Sequence, residues 1–131
     1  MAVSLDLDLE EILSQNDITR EDLDKECSPG IRYEIAIQIT DWKMIGYYFG
    51  IPQEKLVAIE EENRTAEQRR VDLLCTWSMR EGRQATYLKL IKALYHRDRR
   101  DLVETVCKLI RQNSIIIGMW EHAIIRFVIK L

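Results

Sequence analysis

Few side chains in this sequence are suited to acid–base or nucleophilic chemistry. The histidines are His96 and His122, and the cysteines are Cys27, Cys75 and Cys107. Cys75 and His96 are a conceivable nucleophile and base. However, Cys75 falls on the predicted inward face of a helix, where burial raises the pKa of a thiol and leaves it unreactive. We therefore do not expect these two residues to act as a catalytic pair.

The densest carboxylate cluster, Glu60, Glu61 and Glu62, is consecutive on a predicted helix, so its side chains point in different directions. The sequence lacks the glycine-rich phosphate and dinucleotide motifs, the H-E-x-x-H zinc motif and the G-x-S-x-G nucleophile motif. Three cysteines without a C-x-x-C spacing indicate neither a disulfide framework nor a zinc site. We expect no catalytic activity, no metal and no cofactor.

The composition is that of one soluble globular domain. The chain has 131 residues, of which 47% are hydrophobic and 31% are charged, enough for one core but short for two domains. Five glycines and two prolines leave few turns for a many-stranded sheet. The first residues are acidic and lack the basic segment followed by an apolar run that marks a secretory signal. This absence and the expectation that the cysteines are reduced thiols together predict a cytoplasmic protein.

Charge is distributed unevenly along the chain. Residues 1–30 contain nine acids and two bases, a net charge of −7, whereas the remainder has 17 bases and 13 acids, a net charge of +4. A Ser-Pro-Gly sequence at residues 28–30 separates the two parts. We predict an acidic N-terminal extension at 1–30, a domain at 31–111 and a hydrophobic C-terminal extension at 112–131.

The acidic segment itself carries helix signals. Leu9, Ile12 and Leu13 have helical spacing, and Thr19 with Asp22 resembles a capping box that begins a short second helix. This pattern leaves open whether the two helices dock on the domain that follows.

Between residues 31 and 111 the hydrophobic residues recur with a period near 3.6, which predicts an all-α domain of six short helices without strands. The predicted structural core consists of Trp42, Ile45, Phe49, Leu56, Ile59, Leu74, Trp77, Leu90, Leu94 and Val106. The helix predicted at 66–81 turns Val71, Leu74, Cys75, Trp77 and Ser78 inward.

Short polar and glycine signals mark where these helices begin and end. Gly50 predicts the end of one helix, and Pro52 can open the next. Asn63 is predicted to end that helix in the left-handed conformation, and Thr65 with Gln68 forms a capping box for the following one.

Residues 114–131 are hydrophobic but too short and too charged to predict a membrane span. A helical stripe formed by Ile117, Trp120, Ile124, Phe127, Val128 and Leu131 predicts a seventh helix packed on the bundle. The many β-branched residues keep a strand open as an alternative, and an interfacial membrane contact or a partner groove remains a further one.

The longest recognisable motif is Asp41-Trp42-Lys43-x-Ile45-Gly46-x-x-Phe49-Gly50-Ile51, which resembles the D-W-K-x-L-A-x-x-L-G-L signature of death domains. Further matches follow in the family's order: Leu56-x-x-Ile59-Glu60, Thr65-Ala66-Glu67-Gln68, Leu74-x-x-Trp77, Ala85-Thr86-Tyr87-x-x-Leu90-x-x-Ala93-Leu94 and Asp101-Leu102-x-x-x-Val106. The resemblance covers residues 31–111. Gly46 stands where the family usually has alanine, and the hydrophobic C-terminal extension has no counterpart in the family pattern.

The resemblance implies a six-helix antiparallel bundle without enzymatic activity. Death domains are adhesion modules that assemble with other death domains, often as helical oligomers, in apoptotic and innate-immune signalling. The chain is therefore expected to be a signalling adaptor or scaffold whose partners are other death-domain proteins, with self-association as a possibility.

Binding between small bundles calls for complementary surface charge rather than pockets. The candidate binding residues are the bases Arg97, Arg99, Arg100, Arg80 and Arg83 and the acids Glu54, Glu60, Glu61 and Glu62. Reversing the three arginines at 97, 99 and 100 to glutamate is expected to abolish partner binding without unfolding the bundle.

Two further hypotheses concern the basic corner at residues 96–100. The acidic segment 1–30 could fold over this corner and mask it, in which case its deletion increases assembly. Alternatively, the corner could belong to a small helix-turn-helix-like DNA-binding protein. The net charge of −3 and the order of the family motifs count against nucleic-acid binding.

Overall fold

The structure is a computed structural model, and it describes residues 6–113. In that range it contains eight α-helices and a short 3₁₀ turn, and the prediction of an all-α fold is confirmed. The elements are α1 (Leu7–Gln15), α2 (Arg20–Asp24), α3 (Pro29–Ala36), α4 (Trp42–Tyr48), α5 (Gln53–Glu62), α6 (Ala66–Glu81), the 3₁₀ turn (Gly82–Gln84), α7 (Tyr87–His96) and α8 (100–113).

Local capping fixes where five of these helices begin. The side-chain oxygens of Asp6, Thr19, Ser28, Thr65 and Thr86 each accept a hydrogen bond from a backbone N–H two or three residues later. Such a bond satisfies one of the four amides that a helix start leaves without a partner. Both predicted capping boxes, at the starts of α2 and α6, are present.

The helix ends follow the glycine signals but not the asparagine signal. Gly50 and Gly82 have positive φ angles of +75° and +59°, a conformation that glycine adopts without steric cost. The left-handed conformation predicted for Asn63 is wrong, because its backbone is extended at φ −118° and ψ 131°. Its side-chain amide instead donates to the carbonyl of Ile59 and to the carboxylate of Asp72, both at 2.8 Å. The Asn63 side chain therefore supplies a hydrogen-bond donor to a backbone carbonyl in the last turn of α5.

One hydrophobic core runs through the helices of the described region. Nine of the ten predicted core residues are buried, and the tenth, Phe49, is partly buried. Phe49 stacks on Trp77 with ring centroids 4.4 Å apart. Large aromatic rings supply much of the buried area of a small bundle.

The inward face predicted for α6 is wrong at Cys75, whereas Leu74 and Trp77 are buried as predicted. Cys75 is exposed, whereas Leu73 and Thr76 are buried. α6 packs against α3, α4 and α5, so its buried arc is broad and centred near Trp77. At 3.6 residues per turn, Cys75 lies about 160° around the helix from Trp77 and therefore faces outward. Val71 and Ser78 are partly buried at the edge of the arc.

The first two helices dock on the rest of the bundle. Leu9, Leu13, Leu23 and Cys27 are buried in the same core as the later helices, so side-chain packing crosses residue 30, where the sequence predicted a domain boundary. The acidic segment is thus part of the packed structure from residue 6 onward.

Backbone hydrogen bonds strengthen this docking. The N–H of Cys27 donates to the carbonyl of Ala85 at 2.8 Å, and the N–H of Tyr87 donates to the carbonyl of Lys25 at 3.1 Å. The N–H of Ser28 donates to the Tyr87 hydroxyl oxygen at 3.0 Å. The bonds join the end of α2 to the start of α7, about 60 residues later in the chain.

The seventh helix predicted for the C-terminal extension falls on residues 114–131, which lie outside the described residues. Within residues 6–113, no helix combines the length and the hydropathy needed to cross a bilayer.

Candidate protein-interaction surface

The predicted basic corner lies at the junction of α7 and α8, and its arginines are bound within the molecule. Arg97 forms an ion pair with Asp41, the residue that precedes α4. Asp41 makes no side-chain capping bond to its own helix. Arg97 therefore ties the α7–α8 turn to the start of α4.

Arg99 makes a second tie in the same region. Its Nε and Nη2 donate to the Asp101 carboxylate, each at 3.0 Å, and its guanidinium reaches the Gln38 carbonyl at 3.4 Å and the Thr40 hydroxyl at 3.3 Å. Hydrogen bonding from Arg99 lowers the pKa of Asp101, and the same contact raises the pKa of Arg99. The side chain thus joins the start of α8 to the loop between α3 and α4.

Arg100 contacts the acidic N-terminal helix. Its Nη2 lies 2.8 Å from the Asp8 carboxylate, and its guanidinium lies 5.7 Å from the centre of the Tyr95 ring. The Tyr95 hydroxyl donates to the same carboxylate at 3.0 Å. Burial, followed by the contact with Asp8, raises the pKa of Tyr95 to about 12.

The two other predicted bases differ from the arginines of the basic corner in their ion pairing. Arg80, at the end of α6, and Arg83, in the 3₁₀ turn, are exposed and form no ion pair with any residue that the structure describes. Their charge is therefore available on the surface, whereas Arg97, Arg99 and Arg100 already contact carboxylates.

The predicted acids lie on α5. Glu60 pairs with Lys43 of α4 at 2.5 Å, and this hydrogen bond lowers the pKa of the Glu60 carboxyl. Glu54, Glu61 and Glu62 are exposed and have no ion partner within residues 6–113. One predicted acid is thus engaged, and three present free carboxylates.

The cysteines fall into two environments. Burial raises the pKa of Cys27 to about 12 and that of Cys107 to about 11, so both thiols stay neutral and inert. The expectation that Cys75 is buried is wrong, since its side chain is exposed beside the groove between α3 and α6. Among the described residues, no group of three or more metal-binding side chains comes together.

Sequence reasoning missed a cavity of about 220 Å³ between α4, α6 and α7. Its lining residues are Tyr48, Phe49, Trp77, Glu81, Lys89 and Lys92. The sequence did contain a signal, because Lys89 and Lys92 are three residues apart and therefore lie on one face of α7. The sequence pattern indicates only a core role for Trp77 and Phe49, and it therefore assigns the two lysines to no site.

No curated protein and no solved structure matches this chain with significance. The death-domain family model matches residues 35–109, more than half of the chain. The match begins within α3 and ends within α8, so it spans the helical bundle but not α1 and α2. The order of the motifs, the all-α bundle and this match agree, and the chain belongs to the death-domain family.

Proposed function

We propose that this protein is a cytoplasmic signalling adaptor or scaffold that binds other death-domain proteins in apoptotic or innate-immune signalling. Its membership of the family carries the proposal, because death domains are non-catalytic modules of protein–protein interaction. The charged residues on its surface support a binding mode through complementary charge.

The predicted binding residues that form no ion pair within residues 6–113 are the proposed contact residues. Arg80 and Arg83 form the basic side, and Glu54, Glu61 and Glu62 form the acidic side. Contacts between two different faces leave each copy free to add another, as in an open assembly. A single exposed ion pair contributes only about 0–1 kcal/mol, so these charges set orientation and association rate more than affinity.

The reversal of Arg97, Arg99 and Arg100 is a poor test of this proposal. Arg97 and Arg99 join the α7–α8 region to the loop before α4, so glutamate at these positions removes internal contacts as well as surface charge. The reversal Arg80→Glu with Arg83→Glu changes exposed charge alone. Lys108→Glu, on the exposed face of α8, is the matched control.

The binding experiment uses a panel of immobilised death domains and measures capture of the purified chain at low and at high salt. We expect capture by at least one of them at low salt, weakened by the double reversal and unchanged by Lys108→Glu. A folded chain that none of the panel captures at any salt concentration contradicts the proposal.

The masking hypothesis also needs a different variant. Deletion of residues 1–30 would remove Leu9, Leu13, Leu23 and Cys27 from the core, so a loss of assembly after deletion would reflect unfolding. Asp8→Asn removes the ion pair between Arg100 and α1 and keeps those side chains in place. If α1 masks the corner, this variant is expected to bind partners more tightly than the parent chain.

Nucleic-acid binding is not supported as a second function. Each arginine of the 96–100 corner contacts an aspartate, as Asp41, Asp101, Asp8 and Asp98 show. These carboxylates compete with phosphate for the same guanidinium groups. A salt-titrated DNA-binding assay separates the two functions, since phosphate binding weakens steeply with salt.

A further inference from the structure

The cavity between α4, α6 and α7 combines an aromatic interior with a basic rim. Trp77 is 1% exposed and stacks on Phe49, whose ring meets that of Tyr48 edge to face with centroids 6.2 Å apart. Lys89 lies 3.4 Å from Glu81, and Lys92 forms no ion pair with a described residue. The rim therefore carries two ammonium groups and one carboxylate, a net positive charge.

The dimensions of the cavity favour a protein side chain over a metabolite. Its volume is about 220 Å³. Pockets that hold small-molecule ligands occupy roughly 300–1,000 Å³. The chemistry of the lining fits one apolar side chain that arrives on an acidic segment, with the apolar group against the rings and carboxylates near the lysines.

The start of α1 presents such a segment. Leu7 is 81% exposed, among the most exposed large hydrophobic residues of the described chain. Glu10 and Glu11 follow it by three and four residues, so they flank Leu7 on the outer face of the helix, and both are exposed. The sequence of α1 contains no basic residue, so this face has uncompensated negative charge.

The inner face of α1 holds Leu7 in this outward position. Leu9 and Leu13 are buried in the core, and the Asp8 carboxylate binds both Arg100 and the Tyr95 hydroxyl. A residue two positions before Leu9 lies about 160° around the helix, which points Leu7 away from the bundle. Leu7 does not line the cavity of its own copy.

We propose that Leu7 of one copy inserts into the aromatic cavity of a second copy, where Glu10 and Glu11 pair with Lys89 and Lys92. The proposal rests on the proposed function and names a partner surface for it. The inserting helix and the receiving cavity lie on different faces of the molecule. Each copy that is added therefore leaves one inserting helix and one receiving cavity unoccupied at the ends of the assembly. The resulting assembly is a head-to-tail chain that grows with concentration and weakens with salt.

The first test is the solution mass of the full chain, measured by light scattering over a range of concentrations. Leu7→Ala is expected to weaken self-association about tenfold or more, because the apolar contact is lost. The double variant Lys89→Glu with Lys92→Glu is expected to do the same. Met79→Ala and Lys108→Glu are matched controls at exposed positions, and both are expected to associate as the parent chain does.

A mixing experiment tests the head-to-tail geometry. Leu7→Asp removes only the inserting side chain, and the double lysine variant removes only the receiving rim, so each variant alone is expected to be monomeric. An equimolar mixture keeps one intact pair of surfaces and is expected to form dimers that do not grow further. Far-UV circular dichroism checks that each variant is folded.

Three outcomes overturn the proposal. The parent chain remains monomeric at every concentration; or it associates and neither variant changes this; or the mixture of variants stays monomeric while the parent chain associates. If the lysine variant loses binding to a different death-domain protein while the parent chain does not self-associate, the cavity receives that foreign partner instead. In each case the binding panel still tests the proposed function independently.

Discussion

Gly46 is the position at which this chain departs from the death-domain signature, and the packing around α4 explains the departure. A Cβ atom placed on Gly46 would lie 2.6 Å from Cδ2 of Leu56 and 3.0 Å from Cδ1 of Leu73. Both leucines are buried in the core, so a Cβ atom at this position would have to displace packed side chains. The absence of a side chain allows α4 to approach α5 and α6 closely.

In Gly46→Ala, a gain in helix propensity is therefore opposed by a loss in core packing. Alanine gains roughly 0.5–1 kcal/mol of propensity, while forcing extra volume into a packed core costs roughly 1–3 kcal/mol. We expect a net loss of about 1 kcal/mol in the free energy of unfolding, measured by urea denaturation. Gly30→Ala is the control, because a Cβ atom there meets nothing within 4 Å. A Gly46→Ala protein as stable as the control would show that the two leucines can move apart.

Tyr95 of α7 and Asp8 of α1 give the contact between these elements a measurable pH dependence. The pKa of Tyr95 is about 12 in the folded chain, against about 10 for an unperturbed tyrosine. Above pH 10 the unfolded chain loses this proton while the folded chain retains it. The resulting stabilisation is therefore complete below pH 10 and is lost as the pH rises towards 12.

The corresponding experiment compares the parent chain with Tyr95→Phe by urea denaturation between pH 8 and 12. We expect the stability of both to fall with rising pH, since the buried thiols of Cys27 and Cys107 also have raised pKa values. The fall is expected to be shallower in Tyr95→Phe, which has no phenol to ionise. Identical slopes would contradict the assigned contact between α1 and α7.

At the level of elements, most of the secondary structure could be predicted because its signals are local. The hydrophobic period can be recognised within each helix, and capping residues and glycines lie within a few positions of the helix ends that they determine. Partners distant in sequence could not be predicted in this way. The ion pairs of Arg97 with Asp41 and of Arg100 with Asp8 join residues more than 50 positions apart. From the sequence alone, the arginines of the basic corner are therefore indistinguishable from unpaired surface charges. The position of Cys75 also depends on distant partners, because α3, α4 and α5 all pack on the side of α6 centred near Trp77 and leave the opposite side, where Cys75 lies, exposed.

For the molecule as a whole, the structure assigns α1 and α2 to the folding unit rather than to a tail. Leu13 is 4% exposed and lies in the common core, whereas Leu7 is 81% exposed on the same helix. Leu13→Ala is expected to lower the free energy of unfolding by about 2–5 kcal/mol, because it leaves a cavity in that core. Leu7→Ala is the control and is expected to change stability by less than about 0.5 kcal/mol. Equal, small effects at both positions would mean that α1 is not anchored in solution.

The backbone hydrogen bonds between residues 25–27 and 85–87 affect how this attachment tolerates mutation. The donors and acceptors are main-chain groups, so nearly any residue can supply them, and proline at position 27 or 87 would remove a donor. Substitutions that accumulate in α1 and α2 would therefore weaken the hydrophobic part of the attachment first. The two N-terminal helices could diverge widely in sequence and still remain fastened to the bundle at this point.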